Sequence, residues 1–137
     1  MDQVMFKQDL IGVDWLEMKR VLEQDQFDNG RTPEQLERSF ANSKVTCIAY
    51  VESRIVGTAR ALSDGVCNAY IVDVWTLTEF RRQGIAMTML EILMEKLEGQ
   101  HVFLWTEDAI EFYRKVGFAE CGTGLARVVG RWLVAQP

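Results

Sequence analysis

Apolar positions recur along this chain in two rhythms, one helical and one alternating, and their order sketches the fold. Trp15, Met18, Val21 and Leu22 share one side of a helix over residues 15–24, with Asp14 placed to cap it. Phe27-Asp28-Asn29-Gly30 reads as a turn. Thr32-Pro33-Glu34-Gln35 then combines an N-cap, a first-position proline and a capping-box glutamine, predicting a second helix to about Ala41. A short first strand is expected over residues 4–10. Residues 46–51 and 55–61, divided by Glu52-Ser53-Arg54, read as a hairpin. Ser63-Asp64-Gly65 is a turn leading to residues 69–77, which are rich in β-branched and aromatic side chains, as strands are.

From Ile85 to Leu97 the period changes again, and Ala86, Leu90, Leu93 and Leu97 form one apolar stripe. Residues 101–105 are expected as a buried strand, with Thr106 or Asp108 capping a helix that bears Tyr113. Residues 118–121 and 126–134 are expected to close the chain as strands. The order is β-αα-βββ-α-β-α-ββ, an α+β fold in which helices flank a mixed β-sheet.

Composition narrows the class. The chain has 137 residues, 48% apolar and 26% charged, which fits one ordinary globular domain spanning residues 1–137. No apolar run approaches the roughly 20 residues of a membrane span, and Met1-Asp2-Gln3 is no signal peptide, so no membrane partner and a cytoplasmic location are expected. A net charge of −5 argues against nucleic acid as a partner. Cys47, Cys67 and Cys121 are odd in number and lack metal-ligand spacing. They are expected as buried free thiols, and no metal site is expected.

The chemistry concentrates at Arg81-Arg82-Gln83-Gly84-Ile85-Ala86, where the strand pattern gives way to the long helix. A glycine there lets a ligand approach the backbone, and the first N–H groups of the new helix lack internal partners. Arginines beside them suit a phosphate or pyrophosphate. The bland alternative is a strand-to-helix turn with a solvated basic corner.

In its order, R-x-x-G-x-A after a strand and opening a helix, the segment resembles the acetyl-CoA pyrophosphate loop of the GNAT acetyltransferase superfamily. Ala109-Ile110-Glu111-Phe112-Tyr113-Arg114-Lys115-Val116-Gly117-Phe118 resembles that family's second signature, A-x-x-F-Y-x-x-x-G-F. The resemblance is specific from about Cys47 to Phe118 and faint in the first forty residues. Arg60-Ala61-Leu62-Ser63-Asp64-Gly65 with Tyr70-Ile71-x-Asp73-Val74 looks like the subgroup that includes aralkylamine-type acetyltransferases.

That resemblance implies a GNAT-like fold and acetyl-CoA as co-substrate, with direct transfer of acetyl to a primary amine, a small molecule, by a monomer or homodimer. It implies that Arg81, Arg82, Gln83, Gly84, Ile85 and Ala86 bind the cofactor. Backbone N–H groups near Val74, Trp75 and Thr76 would polarise the thioester carbonyl at a bulge in their strand. Tyr113 occupies the family's usual general-acid position, facing the leaving thiolate. Asp73, a carboxylate among Ile71, Val72, Val74 and Trp75, is expected to help deprotonate the amine, directly or through water shared with Tyr70 or Glu107. An ion pair with Arg60 or another arginine is the equal alternative.

Trp75, Trp105 and Trp132 read either as core or as the lining of an acceptor pocket. Two departures matter. Thr78 replaces a frequent proline, and Thr106 replaces a frequent asparagine that contacts the cofactor, supplying only part of its hydrogen bonding. Two other functions fit the residues, a non-catalytic acyl-CoA sensor or interaction module and an acetyltransferase of protein N-termini.

Overall fold

A computed structural model describes residues 3–133. The elements run β1 (Met5–Lys7), α1 (Trp15–Gln24), α2 (Pro33–Ala41), β2 (Val45–Val51), β3 (Arg54–Ser63), β4 (Asn68–Thr76), α3 (Ile85–Glu95), β5 (His101–Phe103) and α4 (Ile110–Val116), with a 3₁₀ turn at Thr78–Phe80. The five strands form one sheet in the order β1-β2-β3-β4-β5. All neighbours are antiparallel except β4 and β5, which are parallel. The expected α+β class with a mixed sheet is therefore what the chain builds. By backbone contact the described residues divide into two compact units, the first ending at Leu104 and the second beginning at Trp105.

In the first unit both helix starts follow from their caps. Asp14 Oδ1 accepts from the Glu17 N–H at 3.0 Å. Thr32 Oγ1 accepts from the Gln35 N–H at 3.1 Å, while Gln35 Oε1 accepts from the Thr32 N–H at 2.9 Å, a complete capping box. The two helices bury Met18, Leu22, Leu36 and Phe40 against Ile48, Ile55 and Trp75 of the sheet. Each such side chain contributes about 2 kcal/mol on leaving water.

Helix α3 packs on β2, β3 and β4 through Ile85, Met89, Leu90 and Leu93. The buried face is turned slightly from the expected stripe: Leu90, Leu93 and Leu97 are buried, whereas Ala86 is only half-buried. Gly57 admits this close approach, since a Cβ there would stand 3.1 Å from Met89 Cε. Helices over the sheet explain why β3 is buried without interruption from Ile55 to Ala61 rather than alternating.

Several expectations about the later chain are corrected. Strand β5 is three residues long and exposed at His101 and Phe103, not a buried strand over residues 101–105. In the second unit, Gly117 (φ 108°) ends α4 and returns the chain so that the Phe118 N–H meets the Tyr113 carbonyl at 3.0 Å. Residues 118–121 and 126–133 are not strands, and Val134 lies outside the described residues. Left-handed backbone at Gly122, Gly130 and Leu133 interrupts any extended run there. Residues 119–132 are exposed throughout, so a ribbon would have no buried face to hold it. Among the described residues, no helix is long and apolar enough to cross a membrane.

Candidate active site

Strand β4 carries the distinctive geometry. Its pairing with β3 runs regularly from Ser63↔Ala69 to Arg60↔Val72 and resumes at Thr58↔Trp75, so β4 holds one extra residue between. This is a β-bulge at Asp73-Val74, and Asp73 adopts left-handed backbone at φ 57°. Pairing with β5 covers only Asn68–Tyr70. From Ile71 to Thr76 the outer edge of β4 has no strand partner among the described residues.

Strand alternation tells which groups face that edge. The Leu77 N–H donates inward to the Val56 carbonyl of β3 at 2.8 Å, so the N–H and C=O of Thr76 point outward. Thr76 Oγ1 is also buried with no hydrogen-bond partner among the described residues.

Asp73 is held as an ion pair. Its Oδ1 and Oδ2 accept from Arg31 Nη2 and Nη1 at 2.9 and 3.0 Å, and Oδ2 also accepts from Arg60 Nε at 2.6 Å. All three side chains are nearly buried. Burial by itself would raise the Asp73 pKa, but the hydrogen bonds and charge of Arg31, then of Arg60, outweigh it and hold the carboxyl below its ordinary value. Both oxygens are engaged and the group binds protons more weakly than a free aspartate, so the ion-pair alternative is the one the geometry displays.

The loop after β4 divides into a bound and an open half. Arg81 Nε donates to the outward Thr76 carbonyl at 3.0 Å, and its guanidinium lies 3.5 Å from Asp25. Arg82, Gln83 and Gly84 are exposed. Gly84 caps α3 from the left-handed region at φ 80°, and a Cβ on it would meet nothing within 4 Å. The first bond along α3 runs from the Thr88 N–H to the Gly84 carbonyl at 3.0 Å. The N–H groups of Ile85 and Ala86 ahead of it thus remain free, as helix starts require. Free donors, an open glycine and a cation adjacent in the chain are the groups that suit a phosphate.

In the second unit, Tyr113 packs edge-on against Phe112 and Phe118, at ring separations of 5.0 and 6.0 Å. Burial pushes its phenol above the ordinary value. Thr106 does not cap α4 directly. Its hydroxyl accepts from the Ala109 N–H at 3.0 Å and closes the preceding turn, with Ala109 as the N-cap.

Other expectations separate. Trp75 is core, with its Nε1 donating to Asp25 Oδ2 at 2.8 Å, whereas Trp105 and Trp132 are 64% and 60% exposed. Of the thiols only Cys47 is buried, and burial pushes it up to about 12; Cys67 and Cys121 are exposed. Sequence reasoning missed Asp25 and Arg31, whose partners lie some fifty and forty residues away in the chain, so no local spacing announces them.

Residues 13–118 match the sequence profile described as the Acetyltransferase (GNAT) family. A serotonin N-acetyltransferase 2, chloroplastic, of Oryza sativa subsp. japonica is 33% identical over 97 residues, 65% of this chain and 48% of that protein. An uncharacterized N-acetyltransferase, ycf52, of Porphyra purpurea is 38% identical over 77 residues, 53% of this chain and 44% of that protein. The matched stretch thus spans less than half the length of these relatives. Among solved structures, a GNAT-family acetyltransferase of Streptococcus pneumoniae TIGR4 superposes with a TM-score of 0.78 at 25% identity, covering 94% of this chain and all of that one. The glucosamine-6-phosphate N-acetyltransferase of Arabidopsis thaliana shares the fold at a TM-score of 0.72 and 18% identity, covering 93% of this chain and 99% of that one.

Proposed function

The chain belongs to the GNAT acetyltransferase family, and on that premise we propose that it moves an acetyl group from acetyl-CoA directly to a small primary amine. The observation that carries this reading is the unpaired outer edge of β4, bulged at Asp73-Val74 and followed at once by an open helix start at Gly84. The family match runs across Leu104, which supports reading residues 1–137 as one acetyltransferase domain.

In this reading the acyl donor supplies an activated thioester, and the chain binds, orients and stabilises. The N–H groups of Ile85 and Ala86, with Gln83, Gly84 and exposed Arg82, would cradle the pyrophosphate, and Arg81 would shape that loop from within. The pantetheine arm would lie along β4 as an added strand, hydrogen-bonded to the outward groups of Thr76. Donors at Val74 and Thr76, on either side of the inward-facing Trp75, would polarise the acetyl carbonyl, and fixed backbone donors cost no reorganisation when charge develops. Thr106 would contribute a single hydroxyl to the cofactor.

Tyr113 would serve the departing thiolate. A reference Tyr pKa near 10 against about 8.5 for a thiol already makes full proton transfer uphill by about 2 kcal/mol. Burial of Tyr113 moves it further in that direction. Its role is therefore a hydrogen bond to sulfur that strengthens as negative charge grows. An alkylamine of pKa near 10.4 is almost wholly protonated at neutral pH, a penalty of about 4 kcal/mol at pH 7.4. With Asp73 committed to two arginines, the proton would leave through water near Tyr70 or Glu107. The rice relative's name and the Arg60–Gly65 and Tyr70–Val74 runs support an arylalkyl amine as the first acceptor to try.

Ligand-induced stabilisation tests the cofactor loop. CoA at a hundredfold its Kd adds about 2.7 kcal/mol to a native state that binds it, a rise of roughly 10 °C in Tm. Gly84→Val would fill the open approach and should abolish the shift while circular dichroism still shows a folded chain. Its left-handed backbone lowers the variant's own Tm, so the measured quantity is the CoA-induced difference. Equal shifts in wild type and folded variant would overturn the assignment.

A further inference from the structure

We infer that Asp25 is a positioning residue for the transfer, locking the reactive end of β4 and the start of the cofactor loop into one register. The inference rests on the proposed function, because it concerns the same β4 edge. Asp25 closes α1 as its C-cap, and its side chain is only 9% exposed. Oδ2 accepts from Trp75 Nε1 at 2.8 Å, and the Thr78 N–H stands 3.2 and 3.3 Å from the two carboxylate oxygens. Arg81 approaches within 3.5 Å and passes the contact on, its Nε donating to the Thr76 carbonyl at 3.0 Å. One carboxylate thus ties together residues 75, 78 and 81 and, through Arg81, fixes the outward carbonyl of Thr76.

Helix capping does not account for the residue. A carboxylate at a helix C-terminus faces the negative end of the macrodipole and is unfavourable there. Nearly buried, it also loses hydration that must be replaced by hydrogen bonds. Its bonds all go to β4 and to the turn before the cofactor loop, so α1 serves as the fixed frame from which that segment is aligned. Arg31 performs the parallel task at the bulge itself, through Asp73. The two clamps leave from the two ends of one short segment, residues 25–31, and bracket Val74, Trp75 and Thr76 between them.

Steady-state kinetics of wild type, Asp25→Ala, Asp25→Asn and the core variant Leu36→Ala test the inference, with Tm recorded for each. Losing a charged hydrogen-bond hub should raise the KM for acetyl-CoA in Asp25→Ala about tenfold. An asparagine can keep its carbonyl on Trp75 and Thr78, so Asp25→Asn should recover to within about threefold of wild type. Leu36→Ala should lower Tm with KM unchanged, separating alignment from general destabilisation. Should Asp25→Ala fail to fold, Asp25→Glu carries the test, since it keeps the charge but displaces the carboxylate by one methylene; a several-fold rise in KM is expected. Wild-type KM and kcat in a folded Asp25→Ala or Asp25→Glu, or an equal rise in Leu36→Ala, would overturn the inference. Absence of any wild-type turnover would instead overturn the proposed function, and the inference with it.

Discussion

Asp73 carries a left-handed backbone, a strand bulge and two arginines at once. An aspartate tolerates that backbone better than its β-branched neighbours would, and its carboxylate offsets one of the two positive charges on the nearly buried guanidinium groups it pairs with. Removing one partner of such a cluster leaves uncompensated buried charge, so Asp73→Asn should cost about 3 kcal/mol of stability in urea denaturation at pH 7. The folded-state pKa lies below the unfolded value near 3.9, so this contribution is complete above about pH 4 and is lost as pH falls through the folded pKa. Wild-type stability should therefore decline on acidification below about pH 4, with that part of the decline missing in Asp73→Asn. In kinetics the variant should lose activity uniformly across pH. A deficit largest at neutral pH that recovers toward the amine pKa would identify Asp73 as a base. The sequence made a strand carboxylate conspicuous, but which arginine would claim it depends on Arg31, forty-two residues earlier, which no periodicity or spacing points to.

At the scale of elements, legibility followed how local the determining interactions are. Helices α1 and α2 begin where their capping residues say, because Asp14, Thr32 and Gln35 bond within three residues of themselves. The capping box of α2 should therefore be separable from the site: Thr32→Ala is expected to lower stability by about 1 kcal/mol in denaturant titration, with KM for acetyl-CoA unchanged. A change in KM without a loss of stability would contradict that separation. Strands were legible where they are buried. The hairpin of β2 and β3 and the run of β4 stand within a residue or two of their expected limits. The apolar residues at the end of the chain, including Leu125, Val128, Val129 and Trp132, are instead exposed and irregular. Apolar content there signalled a strand, but pairing is a long-range property and positive φ at Gly122 and Gly130 works against it. The β4 bulge lay between these cases. Only the resemblance of the neighbouring motifs implied it, since an extra strand residue has no signature of its own in composition.

At the scale of the whole molecule, the proposed reaction draws on a β4 edge, a cofactor loop and a tyrosine signature. Both motifs that carried the resemblance fall within the residues that match the GNAT family. The net charge of −5 favours encounter with a cationic amine over another anion, although the pyrophosphate must then be captured by the local donors around Gly84. The central claim is direct acetyl transfer to a primary amine with Tyr113 serving the leaving thiolate. Its most direct test is release of free CoA, followed with a thiol reagent, from acetyl-CoA and a panel of amines headed by arylalkyl amines, for wild type and Tyr113→Phe. Wild type should release CoA only when a suitable amine is present, with the acetylated amine confirmed by mass spectrometry. Tyr113→Phe keeps the ring and its packing, so its CoA-induced Tm shift should equal wild type while kcat falls about a hundredfold, as expected of an interaction made mainly in the transition state. An unchanged kcat in Tyr113→Phe would remove the tyrosine from the reaction, and firm CoA binding without acetylation of any amine would contradict the enzyme itself.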